Sequence, residues 1–83
     1  MQKIKLRQLK RQIGFNLFVI RRKRKLSLKQ ASDLLGIRID ILDRMERGMF
    51  KFNIKKLIKY TNAYKVDFIS LFLKWKKPAK SRL

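Results

Sequence analysis

The stretch from Ser27 to Gly48 constrains the fold more than any other part of this 83-residue chain. Ser27 followed three residues later by Gln30 is a capping box: the Ser hydroxyl accepts from the backbone N–H at position 30 and the Gln side chain reaches back to the cap. A helix starts here and runs to Leu35, with Ala31, Leu34 and Leu35 as its apolar face. It stops at Gly36, which takes a left-handed turn conformation without the penalty of a Cβ. Beyond the turn Ile37 packs back, and Leu42 and Met45 continue an apolar stripe until Gly48 closes a further helix over residues 39–47.

The flanking segments carry the same helical period. Leu6, Leu9, Ile13, Leu17 and Ile20 recur at spacings of three or four, which puts them on one face of a long first helix while Lys5, Arg7, Lys10, Arg11, Arg21 and Arg22 cover its other faces. Gly14 costs such a helix about 1 kcal/mol relative to Ala, so the part before it is expected to fray or bend while 15–25 holds. Asn53 can cap a fourth helix in which Leu57, Ile58, Thr61 and Tyr64 recur, and Asp67 a fifth containing Phe68, Leu71 and Phe72. Pro78 and the basic tail mark the end of order. The expected architecture is all-α: a compact five-helix bundle with a long basic first helix. A basic helical extension over 1–12 leads into a domain over 13–75, followed by a basic tail over 76–83. No repeat is visible at periods of 20 to 50 residues.

Charge narrows the function. The chain has 24 Lys and Arg against five Asp and Glu, a formal net charge of +19. Residues 1–25 hold ten basic and no acidic residues, 26–50 hold four of each, and 51–83 hold ten basic residues and one acidic, Asp67. So much self-repulsion in a small domain points to a polyanionic partner, nucleic acid first and an anionic membrane surface second. No apolar run approaches the roughly 20 residues of a membrane span. A basic, acid-free N-terminus can also be an organelle transit peptide, but it lacks Ser enrichment and its apolar period runs on into the domain. With no Cys and no His, disulfides, thiol chemistry, the usual zinc ligands and the commonest proton-transfer side chain are all missing. Neither an enzyme, nor a cofactor, nor a small-molecule substrate is expected.

Two short helices about a tight Gly turn form a helix-turn-helix, whose second helix can enter the major groove of DNA. Leu26-Ser27, Gly36-Ile37, Glu46-Arg47-Gly48 and Tyr64-Lys65-Val66-Asp67-Phe68 resemble the Cro/CI-type (XRE-like) DNA-binding domains over about residues 13 to 72. The resemblance implies a lambda-repressor-like five-helix domain, commonly dimeric, that reads duplex DNA as a transcriptional regulator in the cytoplasm, on a bacterial or phage nucleoid. It implies that Arg38, Ile39, Asp40, Asp43 and Arg44 face the bases, and that Arg21 pairs with Glu46 to pin the first helix to the third. Leu28 stands where the family often has a phosphate-contacting Gln, and Ile39, Asp40, Ile41 and Asp43 stand on a reading helix that is usually polar. A carboxylate can accept from cytosine N4 and an Ile can touch a thymine methyl, although acidic groups near phosphates cost affinity.

Around the reading helix, Lys3, Lys5, Arg7, Lys10 and Arg11 on one flank and Lys51, Lys55, Lys56 and Lys59 on the other are candidate phosphate contacts that add affinity without sequence information. Ile69, Leu73 and Trp75 extend apolar character beyond what one core needs, and a homodimer surface is their natural use. Leu26-Ser27-Leu28, Ala31-Ser32, Ile37-Arg38 and Gly48 with Phe50 are also similar to the helix-turn-helix domain of the RodZ adaptors, which implies a protein partner on the third helix instead. Non-specific nucleoid binding, or RNA binding by the basic flanks, is a further alternative.

Overall fold

The computed structural model describes residues 5–73. Lys3, Trp75 and the tail 76–83 lie outside the described residues. Helix α1 spans Leu6–Lys23, α2 Leu28–Leu35, α3 Ile39–Glu46 and α4 Ile54–Tyr64, and a 3-10 turn covers Phe68–Phe72. No strand occurs among the described residues. A 3-10 turn thus stands where a fifth α-helix is expected. Asp67 takes the extended backbone of a cap, but its carboxylate makes no capping bond. The carbonyls of Ser70, Leu71 and Leu73 accept instead from the Asn16 side-chain amide on α1, at 3.2, 2.6 and 2.8 Å.

Helix α1 also departs from expectation, because it passes Gly14 without a break. A Cβ at position 14 would collide with the Met45 carbonyl oxygen and lie 2.8 Å from the Gly48 nitrogen. The absent side chain lets the backbone of α1 lie directly on the end of α3, and this packing offsets the helix-propensity cost of about 1 kcal/mol.

One core joins all the elements: Ile13 and Leu17 of α1, Ala31 and Leu35 of α2, Leu42 and Met45 of α3, Leu57, Tyr60 and Tyr64 of α4, and Leu71 of the turn. Each fully buried Leu or Ile here contributes about 1.5–3 kcal/mol. Helix α1 packs on α3 and on the 3-10 turn, while α2 packs on α3 and α4. Those contacts correct three apolar-face assignments. Leu34 of α2 and Ile58 of α4 are exposed, their places toward the core taken by Ser32 and Tyr60, and Leu6 is exposed at the start of α1. In an eight-residue helix several adjacent positions fit the period, and the neighbours on both sides choose among them.

Candidate nucleic-acid interface

Local chemistry builds the turn between α2 and α3. Ser27 Oγ accepts from the Gln30 amide at 3.0 Å and Gln30 Oε1 accepts from the Ser27 amide at 2.9 Å, closing the capping box. At the other end Gly36 sits at φ 71°, ψ 34°, and both Gly36 and Ile37 donate their amides to the Ser32 carbonyl. Ile37 is partly buried against the core, which sets the direction in which α3 departs. Arg38, with extended backbone, is the N-cap of α3.

With Leu42 and Met45 turned into the core, α3 presents Ile39, Asp40, Asp43 and Arg44 on the remaining arc, and Arg47 follows as its C-cap. Its charges are arranged in pairs. Arg38 Nη2 donates to Asp40 Oδ2 at 3.1 Å, and Arg47 Nη2 lies 3.2 Å from Asp43 Oδ2 one turn away. Asp40 Oδ1 also accepts from the Ile41 amide at 3.0 Å. Glu46 is held by Arg21 of α1. Of the three arginines over 38–47, Arg44 is exposed and has no carboxylate partner among the described residues. Ile39 and Ile41 are exposed as well, at 44% and 39%.

The Arg21–Glu46 pair is a two-pronged contact: Arg21 Nε donates to Glu46 Oε2 at 2.8 Å and Nη2 to Oε1 at 3.1 Å. Both side chains are nearly buried, at 10% and 7% exposure. Arg21 Nη1 also donates to the Leu26 carbonyl at 2.8 Å, so one guanidinium ties α1 to α3 and to the entry of α2. Tyr64 lies buried near this pair, and its hydroxyl has no hydrogen-bond partner among the described residues. Burial, reinforced by the Glu46 charge and opposed by Arg21, pushes the Tyr64 phenol up to about 12. Burial also raises Tyr60.

The flanking cations occupy different places. Lys51 and Lys56 line an open cleft of about 260 Å³ together with Arg44, Ile41, Met49 and Phe50, so three cations converge where α3 gives way to α4. Asn53 Oδ1 accepts from the Lys56 amide at 3.1 Å and fixes the start of α4, with Lys55 exposed on that first turn. Arg11 lies against Gly48, at the end of α3: a Cβ on Gly48 would be 3.1 Å from Arg11 Cγ. Lys5 and Arg7 are exposed and Lys10 is partly covered. Lys59 does not join the cleft; its Nζ approaches Gly36, within 3.9 Å of where a Cβ would be, beside the carbonyl end of α2. Ile69 on the 3-10 turn and Leu73 just after it are exposed, and the turn packs against α1 and α4.

Two residues that position this surface have no such role in the sequence reading: Gly14 stands there only as a weak point of the first helix, and Asn16 is assigned no partner. Asn16 is 5% exposed and supports the 3-10 turn, and Gln12 assists by donating to Asn16 Oδ1 at 3.1 Å and to the Leu73 carbonyl at 3.2 Å. A signal exists: Gly14 and Asn16 interrupt the apolar run from Ile13 to Ile20, and Asn16 falls in register with the core positions Ile13 and Ile20. A polar residue in a core register needs buried partners.

The helix-turn-helix family HTH_3 matches residues 19–71 of the chain. Among solved structures, an HTH_3 family transcriptional regulator from Vibrio cholerae is similar, with 29% identity and a TM-score of 0.75 over 82% of this chain. The match covers 38% of the Vibrio regulator, so this chain spans well under half of that protein's length. The hypothetical transcription factor NHTF from Neisseria shares the fold, with a TM-score of 0.75 at 16% identity over 96% of this chain and 88% of that one. No curated protein sequence matches.

Proposed function

The chain belongs to the HTH_3 helix-turn-helix family, and from that premise we propose that it is a transcriptional regulator that binds duplex DNA, with α3 in the major groove. The observation that carries this reading is the convergence of Arg44, Lys51 and Lys56 beside α3, where the carboxylates of the same helix are already held by Arg38, Arg47 and Arg21. Pairing within the helix removes most of the repulsion that Asp40 and Asp43 would exert on phosphates. Arg44 is left to reach base edges, with Arg38, Ile39, Asp40 and Asp43 beside it as the remaining base-facing set. Lys51, Lys55, Lys56 and Arg11 contact phosphates on either side, joined by Lys3, Lys5, Arg7 and Lys10 from the N-terminal flank. A DNA-bound protein of this kind resides on the nucleoid, in the cytoplasm.

Duplex DNA retention across a salt series, combined with selection of bound sequences from random duplexes, tests the proposal. Each neutralised phosphate adds about 0.9 to the slope of log affinity against log salt, so a steep slope and a recovered short motif are expected. A flat salt response refutes the electrostatic mechanism. Retention without any recovered motif assigns the protein to non-specific binding, and structured RNA as competitor identifies an RNA binder.

A second reading is favoured by one observation: residues 38–47 carry three basic and three acidic residues, with Ile39 and Ile41 exposed among them. Such a neutral, partly apolar face suits a protein partner on α3, as in an adaptor. Replacing Ile39 and Asp43 by Ala then abolishes partner capture and leaves DNA retention as it was.

A further inference from the structure

We propose that the face formed by α1 and the 3-10 turn is a peripheral docking surface for an anionic lipid bilayer. An open cleft of about 320 Å³, lined mostly by apolar atoms, lies between the two elements, with Val19 and Ile20 on one wall and Val66 and Leu73 on the other. Ile69 and Leu73 project outward here, 64% and 58% exposed. Phe15, 42% exposed, precedes Val19 by one helical turn and so shares its side of α1. Cations border the apolar strip: Lys23 lines the cleft, while Arg11 and Arg22 sit on the face of α1 that carries Phe15 and Phe18. The Arg22 guanidinium lies 5.7 Å from the Phe18 ring centre, and that ring is 6.2 Å from Phe15. Helix α1 holds no carboxylate, and Asp67 is the only one in the 3-10 turn and its cap.

Charge and shape select the occupant. Duplex DNA would satisfy the cations but offers nothing to cover Ile69, Leu73 and Val19, which are aliphatic and do not stack on bases. A second copy of the chain would cover them, but an isologous contact sets one cation-bordered face against another, and Asp67 is the only carboxylate that α1, the 3-10 turn and its cap can offer. The chain's own residues 74–83 carry five cations and no acid and meet the same objection. An acidic protein satisfies the charge, yet it would need a surface shaped to the side chains that project beyond the cleft. A bilayer interface needs no such fit: apolar tips enter the headgroup boundary, and Arg and Lys stems lie along it with their charges on the lipid anions. No helix among the described residues is long and apolar enough to cross a membrane, so the contact lies on the surface. This inference does not rest on the DNA-binding reading.

The test uses the full chain, sedimented with vesicles of phosphatidylcholine alone or mixed with phosphatidylglycerol, with duplex DNA retention measured in parallel. The variant Ile69→Ser with Leu73→Ser keeps the net charge, and its thermal unfolding reports that the fold is intact. Wild type partitions onto the phosphatidylglycerol vesicles and not onto phosphatidylcholine. The double variant loses that partition by roughly tenfold or more, while its DNA retention is unchanged. Phe15→Trp in a Trp75→Phe background shifts its emission to the blue on the anionic vesicles and not on duplex DNA. Equal partition of the double variant and wild type overturns the proposal, since adhesion is then net charge alone, and so does a failure of wild type to partition. A lipid-free dimer abolished by the same two changes assigns the face to a second copy. Poly-glutamate binding that is equally sensitive to them assigns it to an acidic protein.

Discussion

Gly14 of α1 lies with its Cα against the backbone of Gly48, the residue that closes α3, so closely that a methyl group at position 14 would stand 2.8 Å from the Gly48 nitrogen. The neighbours that would have to give are backbone atoms of Met45, Glu46 and Gly48, which have little room to move. Gly14→Ala therefore destabilises the domain by about 1–3 kcal/mol through overpacking, even though Ala is the better helix former by about 1 kcal/mol. Denaturant unfolding measures the difference, and a more stable Ala variant would show that this crossing is looser than described.

Asn16 offers a second test of how the helices are held. Its amide supplies donors to the carbonyls of Ser70, Leu71 and Leu73, of which the 2.6 Å bond to Leu71 is buried. Asn16→Ala leaves that acceptor unpaired at a cost of about 1–3 kcal/mol. Asn16→Asp is the worse of the two, because a carboxylate cannot donate and would face three carbonyl oxygens. Chymotrypsin, cutting at Phe68 and Phe72, reads the release of the 3-10 turn: cleavage is slowest in wild type and fastest in the Asp variant.

What was legible in the sequence follows from how local each signal is. The Ser27–Gln30 box, the stop at Gly36 and the Asn53 cap act within four residues of backbone, and all three place their helices correctly. Asp67 has the same residue chemistry as a cap, but the segment after it is five residues long and ends on carbonyls that α1 satisfies, so no α-helix forms. Gly14 reads locally as a weak point and becomes a contact only once α3 lies across it. Asn16 and its partners are separated by more than fifty residues, beyond the reach of any local pattern. The same applies to the cleft beside Arg44, whose lining spans Ile41 to Tyr60: the sequence puts Arg44 on the reading helix and Lys51 and Lys56 on a flank, and only the fold brings them together.

The pair that links α1 to α3 predicts an asymmetry between single and double variants. Arg21→Met leaves Glu46 nearly buried without its partner and frees the Leu26 carbonyl, a loss of about 3–5 kcal/mol. Arg21→Met with Glu46→Leu removes both charges and fills the space with apolar atoms, so most of that loss is recovered. Equal destabilisation of the single and double variants in urea titrations would show that the pair acts through the Leu26 bond alone.

Tyr64 couples stability to alkaline pH. Its folded-state phenol is raised to about 12 by burial and by Glu46, above the ordinary 10.0. Below pH 10 both folded and unfolded states keep the proton and the phenol has no effect. Between 10 and 12 the unfolded chain releases it and the folded chain does not, so stability falls as pH rises through that window. Tyr64→Phe removes this contribution without losing a hydrogen bond among the described residues. The quantity to follow is the difference in unfolding midpoint between wild type and Tyr64→Phe, which isolates this one phenol. That difference widens in favour of Phe from pH 10 to 12.

Arg44 and Lys55 separate base reading from phosphate holding. Arg44 is exposed on α3 with no carboxylate partner among the described residues, and a guanidinium in that position can donate twice to guanine O6 and N7. Arg44→Ala costs about 1–3 kcal/mol on the preferred duplex and blurs preference at one base pair. Lys55, on the first turn of α4, has a different signature: Lys55→Ala weakens all sequences about equally and lowers the salt slope by roughly one. Asp43→Asn adds a third arm, since it loosens Arg47 from its partner 3.2 Å away without changing the shape of the helix. If α3 lies in the groove, that variant binds all duplexes more tightly and discriminates among them less well. If Arg44→Ala and Asp43→Asn both leave affinity and preference as they were while Lys55→Ala does not, α3 does not read DNA. The domain is then held by its flanks, and the exposed Ile39 and Ile41 are left for a protein partner.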